Sequence, residues 1–167
     1  NGGLTLNSST ISLGSSSTAS GGFATALGYN ATASGDNSIA IGASTANNSG
    51  SIAIGNSASS TGGDSVSLGG QASASGTDSV ALGGNASATA QNSYAIGKSA
   101  SAGHSDSIAI GSSAETTGAN QIVLGTSSET TIIKGDLTTN GVSTLSTVDI
   151  NAGAIAVSYT HLRAHET

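Results

Sequence analysis

A glycine closes a short apolar run about every fourteenth residue through most of this chain. Aligned on that residue, Gly14, Gly28, Gly42, Gly55, Gly69, Gly83, Gly97, Gly111 and Gly125 are separated by 14, 14, 13, 14, 14, 14, 14 and 14 positions. So regular a step marks a stacked repeat, in which each unit contacts only its neighbours. It excludes a flexible Gly/Ser linker, which has no reason to space its large side chains.

The columns of that alignment predict the local structure. Three residues before each glycine stand Ile11, Thr25, Ile39, Ile52, Val66, Val80, Tyr94, Ile108 and Ile122. One residue before stand Leu13, Leu27, Ile41, Ile54, Leu68, Leu82, Ile96, Ile110 and Leu124. Between them the residue is Ala or Ser, except Val123. Large, small, large is the period-2 pattern of a strand with one buried face, and β-branched side chains suit it. A weaker alternation follows each glycine, as in Ala72-Ser73-Ala74, Ala86-Ser87-Ala88 and Ala100-Ser101-Ala102, and predicts a second short strand facing the first. Gly35, Gly62, Gly76 and Gly118, each followed two residues later by Asn or Asp, predict the second turn.

Each repeat is therefore strand, turn, strand, turn, and the fold class is all-β, a parallel β-roll or β-solenoid of nine coils about 40 Å long. The expected structural core is the large column pair: Ile39, Ile41, Ile52, Ile54, Val66, Leu68, Val80, Leu82, Ile96, Ile108, Ile110, Ile122 and Leu124, turned inward against Ala. The Ser column (Ser38, Ser51, Ser65, Ser79, Ser93, Ser107) and the Ala between the large residues are expected to face outward. The nine aligned glycines are the repeat-turn residues. The 13-residue step from Gly42 to Gly55 predicts a shortened turn near 47–50 with both isoleucines still in register, because a one-residue slip would turn them to the other face.

Composition bears on function mainly by exclusion. With one Phe, three Tyr and no Trp, Met, Cys or Pro in 167 residues, no ordinary globular core of large side chains is available. A net charge of −6 on only 7% charged residues leaves no basic run to track a nucleic acid backbone. The lack of Cys excludes disulfides and thiolate metal sites. No apolar run approaches the ~18 residues of a membrane span, so direct membrane contact is not expected of these residues. No residue is predicted to be catalytic, to bind a cofactor or to ligate a metal. His104, in "SAGHSDS", has Ser and Asp106 nearby, but neighbours within a turn rarely hold a nucleophile–base–carboxylate geometry. Asp64, Asp78 and Asp106 share one repeat position with Asn37, Asn92 and Asn120. Such a ladder of oxygens suits Ca²⁺, and equally suits turn capping, which is the preferred reading. The Gly-Gly pairs lack the Lys and the helix of a phosphate loop, and ice binding would need an outward column of Thr where Ser is expected.

The stretches "SGDNSIAIG" (34–42), "SGTDSVALGGNASA" (75–88), "AGHSDSIAIGSSAETTG" (102–118) and "FATALGYNATASGDN" (23–37) resemble the head repeats of trimeric autotransporter adhesins, the YadA-like family. The resemblance runs from about Ser9 to Gly125. It implies a left-handed roll, a homotrimer packed side by side through apolar columns, display at a Gram-negative cell surface and attachment to host or environmental surfaces through an unidentified receptor. Phage and virus fibres that carry the same repeat are the alternative. Three segments follow from these readings: head repeats over 1–125, a β-rich neck- or fibre-shaft-like segment over 126–156, and 157–167. The last, "VSYTHLRAHET", is similar to a translated sequencing adapter and is set aside. With no Met in the sequence, the chain is expected to be a fragment.

Overall fold

The computed structural model describes residues 9–134 together with Asp136, Thr138 and Asn140. Two parallel sheets run side by side up a stack of coils. The first has nine three-residue strands, from Ile11–Leu13 to Ile122–Leu124, and every one ends on the residue before an aligned glycine. The second has seven two-residue strands, from Thr18–Ala19 to Ser101–Ala102, in the same sequential order. Each strand pairs only with its counterparts one coil away: Val80 lies beside Val66 on one side and Tyr94 on the other. Sequence adjacency in steps of one coil is what a solenoid requires. Backbone hydrogen bonds accordingly run between coils, as from Val80 N to Ser93 O (2.9 Å) and from Gly83 N to Leu68 O (2.9 Å).

The interior is the reverse of the expected one. Within a single chain the large columns lie on the outside of the roll. Ile39, Ile52, Ile54, Val66, Val80, Ile96 and Ile108 are half-buried, and Ile41, Leu68, Leu82, Ile110, Ile122 and Leu124 are exposed. The interior is filled by the residues expected to face out: Ala26, Ala40, Ala53, Ala81, Ala95 and Ala109 from the first sheet, facing Ala33, Ala46, Ala74, Ala88 and Ala102 from the second. Strand alternation puts one set in and the other out but does not say which. The decision comes from the perimeter. A 14-residue coil closed by two tight turns brings its facing strands too near for the side chains of Val, Leu or Ile, and methyl and hydroxymethyl groups fill the space, with Thr116 near the last coils. Val123, in the coil where the first sheet ends, is only half-buried and packs on the alanine cluster from its margin.

The Ser column is buried as well, with Ser38, Ser51, Ser65, Ser79, Ser93 and Ser107 all at 0% exposure. Its hydroxyls close the second turn: Ser65 Oγ donates to Gly62 O, Ser79 Oγ to Gly76 O and Ser93 Oγ to Ala90 O, each at 2.7 Å. A buried hydroxyl needs such a partner, and a turn carbonyl three residues back supplies it for these residues, whereas Ser38 Oγ is buried without one.

The turns depend on backbone that few residues adopt. Seven of the nine closing glycines sit at φ near +130°, with Gly42 at 90° and Gly125 at 75°, and a Cβ on Gly83 would lie 2.6 Å from the Gly97 carbonyl oxygen of the next coil. Glycine is demanded there by the stacking distance as well as by φ. Two further turn positions in most coils are left-handed, filled chiefly by Asn, Asp, Ser or Gln, such as Asn85 (φ 58) and Asp78 (φ 55), with Phe23 the exception (φ 59). Asn and Asp tolerate that region best among residues with a Cβ.

The missing residue of the 13-residue coil is lost from the first turn, not near 47–50. Thr45 pairs with Thr32 and Ser59, which lie four residues after their glycines, whereas Thr45 lies three after Gly42. Ser44 N donates to Gly42 O (2.9 Å) across one intervening residue, where Ala72 N reaches back three residues to Gly69 O (3.2 Å). A three-residue turn thus replaces a four-residue one. Ile39 and Ile41 still pair with Ile52 and Ile54, so register is held as expected.

After Gly125 the described residues to 134 contain no strand. Most of the neck-like segment and all of 157–167 lie outside the described residues. Two compact units divide at Thr131, the first of them containing the roll.

Candidate interaction surface

Turning the large columns outward gives each roll two unlike faces. Outside the first sheet, the residues three and one before each glycine form two parallel rows, nine coils long, with no charged residue in either. Leu13, Ile41, Leu68, Leu82, Tyr94 and Ile110 along it are 36 to 49% exposed. Outside the second sheet stand only hydroxyls: Thr18, Thr32, Thr45, Ser59, Ser73, Ser87 and Ser101. The same pleat that buries Ala therefore presents hydrocarbon on one side and hydroxyl on the other.

Apart from Glu115, which bridges Ser101 and continues the hydroxyl row by one coil, the turns carry the ionic chemistry of the roll. Asp64, Asp78 and Asp106 take left-handed positions in the second turn (φ 51, 55 and 55), as do Asn37, Asn92 and Asn120. Asn92 Nδ2 donates to Asp106 Oδ1 (2.8 Å), and near the start of the roll Asp36 Oδ1 accepts from Gly22 N (2.7 Å). The backbone amides of the ladder residues donate to the coil before, as from Asp78 N to Gly63 O (2.9 Å) and from Asn92 N to Thr77 O (3.0 Å). Among the described residues no three His, Asp or Glu side chains converge as metal ligands. His104 does not meet Asp106 in a relay. Its Nδ1 lies 3.4 Å from Thr116 Oγ1, and its carbonyl accepts from Ser107 Oγ. Thr116, nearly fully buried, also accepts from Ser107 Oγ (3.2 Å), so this polar group closes the interior near the last coils. No cavity is found among the described residues, which contain no helix, and so none long and apolar enough to cross a membrane.

Two exposed aromatics escape the core pattern. Phe23 is 73% exposed at φ 59 in the second-turn position that other coils fill with Asn, Asp or Gly, and Tyr29, 65% exposed, follows Gly28. Their signal was present in the alignment, since a large ring in a turn column of small polar residues has no interior to enter.

Comparison with known proteins agrees with this geometry. The family model of the YadA head domain repeat (2 copies) matches residues 8–31, 19–45, 60–86, 88–114 and 105–128, together more than half of the chain. Among solved structures, the crystal structure of the collagen-binding domain of the Yersinia adhesin YadA is similar, with 28% identity and a TM-score of 0.59, covering 87% of this chain and 94% of that one. No curated protein sequence matches.

Proposed function

The chain belongs to the family of YadA head domain repeats and is an adhesin-type head, and from that premise we propose that it assembles with two copies of itself and serves attachment from a cell surface. One observation carries the reading: the rows of large apolar side chains lie outside a roll whose own interior is already full of alanine. A continuous row pair two side chains wide and about 40 Å long matches the largest apolar patch a soluble monomer carries, the kind that marks an interaction site. Side-by-side association through these rows supplies the core of large side chains that each roll lacks. The hydroxyl faces and the turns then form the outer surface.

No pocket interrupts that surface, so the ligand is a surface or an extended polymer engaged across several coils, and catalysis plays no part. Collagen is the first ligand to assay, because the similar YadA structure is a collagen-binding domain. The display of such a head from a Gram-negative outer membrane completes the proposal. The virion-fibre alternative has no observation of its own in its favour.

The test is the mass of the purified protein by size exclusion with light scattering, followed by retention on collagen-coated surfaces. A trimer retained on collagen is the expected result. A monomer at micromolar concentration refutes the assembly, and a trimer that collagen does not retain refutes the ligand alone.

A further inference from the structure

The apolar face specifies what kind of partner it takes but hardly specifies alignment. Its rows repeat with the coil, so the surface that fits it along its whole length is one of the same step, uncharged and equally long, which a second copy of the chain provides. Shifted by one coil, though, a second copy would still set Ile, Val and Leu against Ile, Val and Leu at almost every level. Two positions break this degeneracy. Thr25 is the single polar aliphatic-sized residue in the outer row, flanked in its sheet by Ile11 and Ile39. Tyr94 is the single aromatic, flanked by Val80 and Ile108 and 37% exposed.

We infer that Thr25 and Tyr94 fix the axial register between copies and make the face selective for a matched copy of this chain. The inference rests on the self-assembly reading above. In the unshifted arrangement the three Thr25 hydroxyls lie at one level, where each can donate to the next. A shift by one coil sets each hydroxyl against the aliphatic side chain of Ile11 or Ile39 without a partner, the arrangement that a buried polar group resists most. This is the role a lone Asn plays in an otherwise apolar coiled-coil seam, transferred to a sheet face. Tyr94 acts by bulk. Three rings at one level crowd a single layer, where the phenol hydroxyls can also reach one another, whereas a shifted assembly spreads the rings over several levels and holds the faces apart at each. The two marks are five coils apart, so a shift that repairs one mismatch cannot repair the other. They give the face partner discrimination against other heads with the same repeat, by penalising the wrong match more than by strengthening the right one.

The experiment moves the polar level by one coil with the paired substitution Thr25→Ile and Ile39→Thr, which conserves composition. Wild-type and shifted chains bearing tags of different mass are denatured together, refolded and examined by native mass spectrometry. Trimers predominantly of one kind are expected, since the shift that would realign threonine misplaces Tyr94. Random assortment, in which mixed trimers outnumber unmixed ones about three to one, overturns the inference and leaves the assembly intact. Monomers from wild type alone overturn both. Should the shifted chain not assemble by itself, the single substitution Thr25→Ile, which brings that coil to the commonest residue of its row, is mixed with wild type. Trimers of one kind then support the inference and random assortment overturns it.

Discussion

Ser67 offers the sharpest test of how the interior is held. It lies at the centre of the strand Val66–Leu68, in the inward column between Ala53 and Ala81, fully buried, and its Oγ has no hydrogen-bond partner. Two residues away, Ser65 is buried with its hydroxyl donating to Gly62 O and within 2.7 Å of Ser60 Oγ. The pair allows one coil to be its own control. An unpaired buried hydroxyl costs about 1–3 kcal/mol, and alanine occupies the same column in the coils above and below, so Ser67→Ala should stabilise each chain by about 1 kcal/mol. Ser65→Ala removes a hydrogen bond and leaves a turn carbonyl with less than its due, so it should cost about 1 kcal/mol. Urea denaturation followed by far-UV circular dichroism, at one fixed chain concentration, reads both as shifts of the midpoint with unchanged slope. Destabilisation by Ser67→Ala as large as that by Ser65→Ala would refute the reasoning. It would mean that the hydroxyl is satisfied and the interior holds a complete polar network in that coil.

Gly83→Ala places a methyl 2.6 Å from the Gly97 oxygen at φ +133 and should cost about 3 kcal/mol or more, measured by the same denaturation; a change within 0.5 kcal/mol or so would refute the stacking argument. Asn85→Val puts a β-branched residue at φ 58 and should cost about 1–2 kcal/mol, while Asn85→Gly should be nearly neutral, so equal losses from both would show that the side chain and not the backbone angle matters. Ile110→Asp, at a side chain 38% exposed on the single roll, should abolish the proposed trimer while leaving β content intact; a trimer of unchanged mass would rule out the apolar rows as the interface. The Thr126 hydroxyl and then its amide donate to the exposed Glu129 carboxylate and hold its pKa below the ordinary 4.5. Since the folded pKa is lowered, this turn's contribution is present above the unfolded value and is lost as pH falls through the lower one. The Thr126 amide resonance should therefore titrate below 4.5, and a midpoint at or above that value would contradict the contact.

Strand positions, repeat boundaries and pairing register were legible in the sequence, because the glycine step and the period-2 pattern depend only on local geometry. Every first-sheet strand ends where the aligned glycines place it. The inside and outside of the roll were misread, because hydrophobicity favours Ile over Ala for any interior, whereas a perimeter this short admits only small side chains, Ala and Ser with Thr116 near the last coils. A second signal pointed the right way. The large outer row tolerates Thr25 and Tyr94, while the small column admits nothing beyond Ala and Ser until Val123 at the end of the stack, and the more restricted column is the buried one. The site of the shortened turn was hidden for a different reason: "ASTANNSG" is composed of turn formers throughout, and only the pairing of Thr45 shows which turn gave up a residue.

The direction of the backbone hydrogen bonds has a mechanical consequence. All of those between coils lie along the stack, so a pull applied through the chain ends opens one layer at a time instead of shearing many bonds together. Each released coil of fourteen residues would pay out roughly 50 Å of slack, at a modest force, and could wind back when the load falls. A tether built this way yields by lengthening before it breaks.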